Sequence, residues 1–300
     1  MLHRILLPVD GSPLAERAIP LAATLAQAHS AEVVVARIVQ PPAWMADGPS
    51  TYLSADIYGE LYDGLEQEAE GYLETIAERF QSGGIAVRTE VRRGAAAAAL
   101  LDLETELRPD LVVMSTHGRT GLARFALGSI ADLMVREGCA PVLLIRAFSR
   151  ATSTIEGALV PLDGSPLAEA ALPLVEMLAG KPVQRVRLLR AVAGEQEATA
   201  AAAYLEAVAR RLRARGLQVD ILIEVDDPGH AIERAAAATD LVILSTHGRG
   251  GLDRLRHGSV VEQATRRLGT PTLLTRARAT ATVRIPIADI ASALRAAATA

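Results

Sequence analysis

Asp10-Gly-Ser-Pro-Leu-Ala-Glu16 recurs as Asp163-Gly-Ser-Pro-Leu-Ala-Glu169, and Ser115-Thr-His-Gly-Arg119 recurs as Ser245-Thr-His-Gly-Arg249. The chain is a tandem duplication, and a feature kept in both copies is less open to accident than one present in a single copy. Each turn follows an apolar run that reads as a strand, Arg4 to Val9 before the first and Asp110 to Ser115 before the second. Each also precedes a helical pattern. Strand, turn and helix in alternation specify a parallel sheet, whose ligand sites collect at the carboxyl ends of the strands.

Outward from these turns, the first half offers strands at 4–9, 32–39, 85–91, 110–115 and 141–146, with helices after Ser12, around 66–81, at 95–107 and at 129–137. The second half repeats the order, with strands near 155–162, 183–192, 217–225, 240–245 and 271–276. The fold class is therefore α/β, with parallel sheets covered by helices on both faces. Serine suits an N-cap and proline the first helical position, so Ser12-Pro13 opens a helix. Pro20 and Pro173 fall inside the following apolar periodicity and predict a kinked but continuous helix in each copy. The copies are offset by 153 residues at the Asp-Gly-Ser-Pro turn and by 130 at the Thr-His-Gly turn. The second copy has thus lost 23 residues between them, mostly after its second strand.

A chain of 300 residues suits two domains of about 150 each, placed at 1–150 and 151–280, with a tail at 281–300. Half the residues are apolar but only 3% are aromatic, so the cores should be aliphatic. A net charge of −4 argues against nucleic acid or an anionic membrane as a main partner. The single cysteine, Cys139, excludes an internal disulfide framework and reads as a buried, inert thiol in a reducing compartment. No run reaches the roughly 18 apolar residues of a membrane span, and Met1 to Val9 lacks a signal-peptide layout. These features lead to an expectation of a cytoplasmic protein.

The clearest chemical pattern is Gly118, nine residues, then Gly128-Ser129, copied as Gly248, nine residues, then Gly258-Ser259. Each copy runs from the end of a strand to a helix N-cap at the serine, which gathers backbone N–H groups, a hydroxyl and a positive helix end. Those are the parts of a phosphate cradle. Arg119, Arg124, Arg249 and Arg254 lie inside these loops and offer charge against phosphate. Asp10 and Asp163 offer acceptors to ribose hydroxyls or an adenine amino group, or alternatively hold their own turns as Asx-type caps. His117 and His247 have no identifiable nucleophile with an acid partner and are read as non-catalytic. No P-loop, dinucleotide glycine motif or zinc-type cluster occurs. Residues 41–62, present only in the first half, hold Trp44, Tyr52, Tyr58 and Tyr62 and read as a lid, a partner surface or a loop packed on its own domain. Glu66, Glu68, Glu70 and Glu74 read as a solvated helix face.

Residues Ile5 to Ser12, Val112 to Arg119, Leu127 to Ser129 and Pro141 to Ile145, with their second-half counterparts, resemble the universal stress protein family in a tandem form, over about 1–148 and 153–278. The resemblance implies five-stranded parallel sheets of order 3-2-1-4-5 in a Rossmann-like, adenine-nucleotide alpha-hydrolase-type fold. It also implies pairing of the halves through their fifth strands, an intramolecular pseudo-dimer that a homodimer would extend. One branch of the family binds ATP, alone or with Mg2+, without an obvious catalytic apparatus. That branch carries glycine, two residues, glycine, nine residues, then glycine with serine or threonine. Here Gly118 and Gly128, and Gly248 and Gly258, match, while Ser115 and Ser245 replace the first glycine. Serine is compatible with binding where φ is negative; a positive φ would cost roughly a kcal/mol or more.

By the same resemblance Pro8, Val9, Asp10 and Ile38 line an adenine and ribose pocket, as do Pro161, Leu162, Asp163 and Ala191. Gly121 and Gly251 keep the loops small beside Arg119 and Arg249. Ser129 and Ser259 meet the phosphates, and Ile130 and Val260 supply helix N–H groups. The expectation is an adenine-nucleotide-binding, stress-response regulator of unidentified protein partners. Its rivals are a slow ATPase or phosphotransferase, and an interaction module that binds no nucleotide.

Overall fold

The computed structural model describes residues 1–40, 55–116, 128–147, 149, 154–246 and 267–277. The first half contains β1 (Arg4–Pro8), a 3-10 turn (Ala15–Ala18), α1 (Ile19–His29), β2 (Glu32–Val39), α2 (Ala55–Ser82), β3 (Val87–Arg93), α3 (Ala96–Leu107), β4 (Leu111–Thr116), α4 (Ser129–Glu137) and β5 (Val142–Arg146). The second contains β6 (Gly157–Pro161), α5 (Pro166–Glu169), α6 (Leu172–Leu178), β7 (Arg185–Val192), α7 (Ala198–Arg213), β8 (Gln218–Val225), α8 (Pro228–Ala236), β9 (Leu241–Thr246) and β10 (Thr272–Arg276).

The strands form one sheet in the order β3-β2-β1-β4-β5-β10-β9-β6-β7-β8. Each half is parallel and follows the expected 3-2-1-4-5 order. The halves meet at their fifth strands, where Leu144, Leu143 and Val142 pair antiparallel with Thr272, Leu273 and Leu274. The inner strands, such as β1, β4 and β9, read as unbroken apolar runs because both faces are covered, whereas the edge strands β3 and β8 mix apolar and charged residues. Ile5 and Leu7 point to the face shared with α1 and with Leu73, Ile76 and Phe80 of α2. Leu6 points to the opposite face, against Leu100, Leu103 and Leu107 of α3 and Met134 of α4. Each such aliphatic side chain contributes about 1.5–3 kcal/mol by leaving water.

Four expectations are corrected. Pro20 and Pro173 do not kink a continuous helix: each lies in the first turn of a fresh one, α1 and α6, behind the short turns 15–18 and 166–169. Proline has no N–H to donate, so the hydrogen-bond ladder restarts there, although Ala18 (φ −77°, ψ −22°) keeps the chain path helical. The part of segment 41–62 from Ala55 onward is the start of α2 rather than a loop, because Ile57, Leu61 and Leu65 already carry helical spacing. The third strand begins at Val87 rather than Ile85, because Ile85 is used in ending α2. Its N–H donates to the Phe80 carbonyl at 3.0 Å, with Gly84 at φ +70°, which is a Schellman-type stop. Cys139 is exposed, in the connection between α4 and β5. Residues 41–54, including Trp44 and Tyr52, and the tail from 278 lie outside the described residues.

About half of the 23-residue shortening of the second copy is a shortening of one helix, and most of the rest is a shorter connection before it. In the same position α2 has 28 residues and α7 has 16.

Candidate functional site

The two Asp-Gly-Ser-Pro turns are built alike. Val9 N–H donates to the Ala36 carbonyl and Leu162 N–H to the Leu189 carbonyl, both at 2.8 Å, which carries the pairing one residue past β1 and β6. The aspartates follow, exposed at the carboxyl ends of the strands. Asp10 Oδ1 accepts from Ser12 N–H at 2.9 Å, and Asp163 Oδ1 from Ser165 N–H at 2.8 Å. These are Asx turns, so the turn-holding role is present in both halves and engages one carboxylate oxygen of each. The serine hydroxyls then accept from Ala15 N–H and Ala168 N–H, each at 3.1 Å. Ser165 is the N-cap of α5 with Pro166 in first position; in the first half the same bond closes onto a 3-10 turn.

Beside the turns, Pro8 and Pro161 are half-buried, whereas Val9 and Leu162 are buried. Ile38 and Ala191 pack on the face of the sheet that carries Leu6 and Met114, and Ile130 of α4 joins the same cluster.

Ser115 and Ser245 are buried strand residues, next to last in β4 and β9. The only positive-φ residues besides glycine, among those described, are Ser30 and Arg108. The serines therefore carry no left-handed strain. Ser245 also makes a bond that glycine could not make, from its hydroxyl to the Leu167 carbonyl in α5. That bond ties the end of β9 to the helix after the Asp163 turn.

At the start of α4 the N-cap is Gly128 rather than Ser129, which is exposed in first position and makes no side-chain cap. Asp132 N–H to the Gly128 carbonyl, 2.9 Å, is the first helical bond. The N–H groups of Ser129, Ile130 and Ala131 precede it and have no acceptor within the helix, so the helix end is suited to an anion. Gly118, Arg119, Gly121, Arg124 and His117 lie outside the described residues, as do Gly248, Arg249, Gly251, Arg254, His247, Gly258, Ser259 and Val260.

A second duplicated group surrounds each turn and was missed in the sequence. Arg37 of β2 lies over the Tyr72 ring, 5.1 Å from its centroid, and Arg190 of β7 lies over Tyr204 at 5.3 Å. Tyr72 Oη donates to Glu16 at 3.3 Å, and Tyr204 Oη to Glu169 at 3.0 Å. Burial, reinforced by the Glu16 carboxylate, pushes the Tyr72 hydroxyl up to about 12. Burial and Glu169 push Tyr204 up as well. Burial also raises the Glu169 carboxyl, against the opposing bond from Tyr204. The available signal was a third internal repeat: Tyr72-Leu-Glu-Thr-Ile-Ala77 in α2 and Tyr204-Leu-Glu-Ala-Val-Ala209 in α7.

Among the described residues no three or more His, Cys, Asp or Glu gather as a metal site, and no helix is long and apolar enough to cross a membrane. A family model described as Universal stress protein family matches residues 1–146 and 156–276. A universal stress protein of Mycolicibacterium smegmatis is 26% identical over 294 residues, covering 92% of this chain and 98% of that protein. One from Methanocaldococcus jannaschii is 29% identical over 143 residues, covering 48% of this chain and 81% of its own length. Among solved structures, a universal stress protein from Archaeoglobus fulgidus superposes with a TM-score of 0.73 at 20% identity, covering 91% of this chain and 98% of that one.

Proposed function

The chain belongs to the universal stress protein family, and from that premise we propose that each half binds an adenine nucleotide, ATP in the first instance, and that occupancy regulates protein partners rather than driving turnover. The observation that carries this reading is the duplicated turn at the carboxyl ends of β1 and β6, with an aspartate held by an Asx bond. In the first half β4 lies beside β1, and the chain beyond it returns to the sheet at the helix end of Gly128-Ser129. A crevice at the point where strand order reverses is the usual ligand position in such sheets.

In this reading Pro8, Val9 and Ile38 form the apolar wall against the base, and Asp10 meets the base or ribose. Ser129 and Ile130 present N–H groups to the phosphates, joined by Gly118, Arg119 and Gly121. Pro161, Leu162, Asp163 and Ala191, with Gly248, Arg249, Gly251, Gly258, Ser259 and Val260, form the second site. Ser115 and Ser245 support the proposal by standing in extended strand, where the change from glycine costs no backbone strain. Mg2+, where it accompanies the triphosphate, would take its ligands from phosphate and water. Cytoplasmic placement belongs to the same proposal.

The test is to purify the chain, denature it and chromatograph what is released, and then to titrate the emptied protein with ATP. Adenine nucleotide in the supernatant, or saturable uptake, is the expected result. A clean protein that takes up no ATP refutes the reading in favour of an interaction module. Turnover above the spontaneous rate, abolished by His247→Ala, would establish the ATPase instead.

A further inference from the structure

The duplicated heptad ends in Glu16 and Glu169, and nucleotide contact as proposed uses neither. Both carboxylates accept from a tyrosine hydroxyl whose ring faces an arginine of the second strand. Each guanidinium also lies beside the turn glycine. A Cβ on Gly11 would lie 3.6 Å from Arg37 Cζ, and one on Gly164 would lie 2.9 Å from Arg190 Nη1. Each arginine therefore lies beside both an aromatic ring and the turn that carries Asp10 or Asp163. The arrangement survives in both halves although the helix supplying the tyrosine has 28 residues in one and 16 in the other.

A brace between helix and strand would need only a long side chain. Here a charged plane rests on the residue that follows the proposed ligand contact, in both copies. We propose that Arg37 and Arg190 are positioning residues that set the affinity of the two nucleotide sites by fixing the Asp10-Gly11 and Asp163-Gly164 turns; this rests on the nucleotide reading above. The two are not equal. Arg37 Nη2 is paired with Glu68 Oε1 at 3.3 Å. In the register set by Tyr72 and Tyr204, the second half has Ala200 at that place. Arg190 has lost this counter-charge, so the second site depends more on its arginine.

The test uses the full chain with ATP in calorimetry, beside thermal melts. Arg37→Met should weaken one of the two sites about tenfold and Arg190→Met the other by about thirtyfold, each leaving the remaining site unchanged. Tyr204→Phe keeps the ring and should stay within about threefold of native, whereas Tyr204→Leu should match Arg190→Met. Should a methionine variant fail to fold, Arg37→Lys and Arg190→Lys keep the charge but not the flat stacking, and should lose about threefold. Native affinities in these variants overturn the proposal, and so does a loss seen only in the melting temperature. A native chain that binds no ATP refutes the nucleotide reading and this inference together. A native chain that binds, with variants that match it, refutes this inference alone.

Discussion

Methyl groups placed on Gly11 and Gly164 should destabilise the protein unequally, although the two glycines occupy the same turn. Their φ values are +83° and +82°, where an L-residue costs roughly 1–2 kcal/mol. The stiffer unfolded chain returns about 0.4–1 kcal/mol of this, which leaves about 1 kcal/mol for the backbone alone. At Gly11 the new Cβ would meet Arg37 at 3.6 Å, an ordinary contact. At Gly164 it would lie 2.9 Å from Arg190 Nη1, so the tip of this flexible side chain must shift on the Tyr204 ring. That weakens the cation–π contact and adds at most its full worth, about 0.5–1 kcal/mol at a partly exposed site. Gly11→Ala should therefore cost about 1 kcal/mol and Gly164→Ala more, up to about 2 kcal/mol. Urea unfolding followed by circular dichroism gives the totals, and amide exchange assigns each loss to its half. Gly84→Ala is the control, with φ +70° and nothing within 4 Å of the added Cβ. Equal losses at Gly11 and Gly164, or a larger one at Gly11, would refute the clamp geometry.

Glu104 is buried and accepts from Cys139 N–H at 2.7 Å and Ala140 N–H at 2.6 Å. Glu104→Ala should lower unfolding free energy by about 2–4 kcal/mol in urea titration, and Glu104→Gln by less, because one acceptor oxygen remains. Asp110 accepts from the N–H groups of His3 and Arg4, as Asp240 does from those of Glu156 and Gly157. Alanine at either position should cost about 1–2 kcal/mol, with nearly equal losses in the two halves. Glu169 has its carboxyl raised above its usual 4.5 by burial. The folded state then holds the proton more tightly than the unfolded one. The stability this confers is present below pH about 4.5 and is lost as pH rises through the folded value. Glu169→Gln should therefore match or exceed native stability at neutral pH, and fall behind only toward acid, in melts run across pH.

The inner strands were legible because burial on both faces leaves apolar runs without polar interruption, as in Val33 to Ala36 and Leu241 to Leu244, whereas the edge strands β3 and β8 mix apolar and charged residues. Joining of the halves at β5 and β10 came from the family resemblance, since nothing within Val142 to Arg146 says which edge it meets. The start of α2 was obscured by Gly59 and Gly64, which weaken a helix signal, and by aromatic residues that suggested a lid. The restart at Pro20 was obscured because the apolar spacing continues across it while the hydrogen bonds do not. Turn chemistry could be read locally, since Asp10 and Ser12 bond within a few residues. The Arg37–Tyr72 and Arg190–Tyr204 contacts could not, because their partners stand on different elements and meet only once α2 and α7 dock on the sheet.

The central claim is that both halves hold a nucleotide. Calorimetric titration of ATP into the stripped native chain tests it most directly. Two binding events per chain are predicted, each abolished by an alanine in place of the aspartate of its own turn, Asp10 or Asp163. Heat no greater than dilution, with no nucleotide carried through purification, would contradict it.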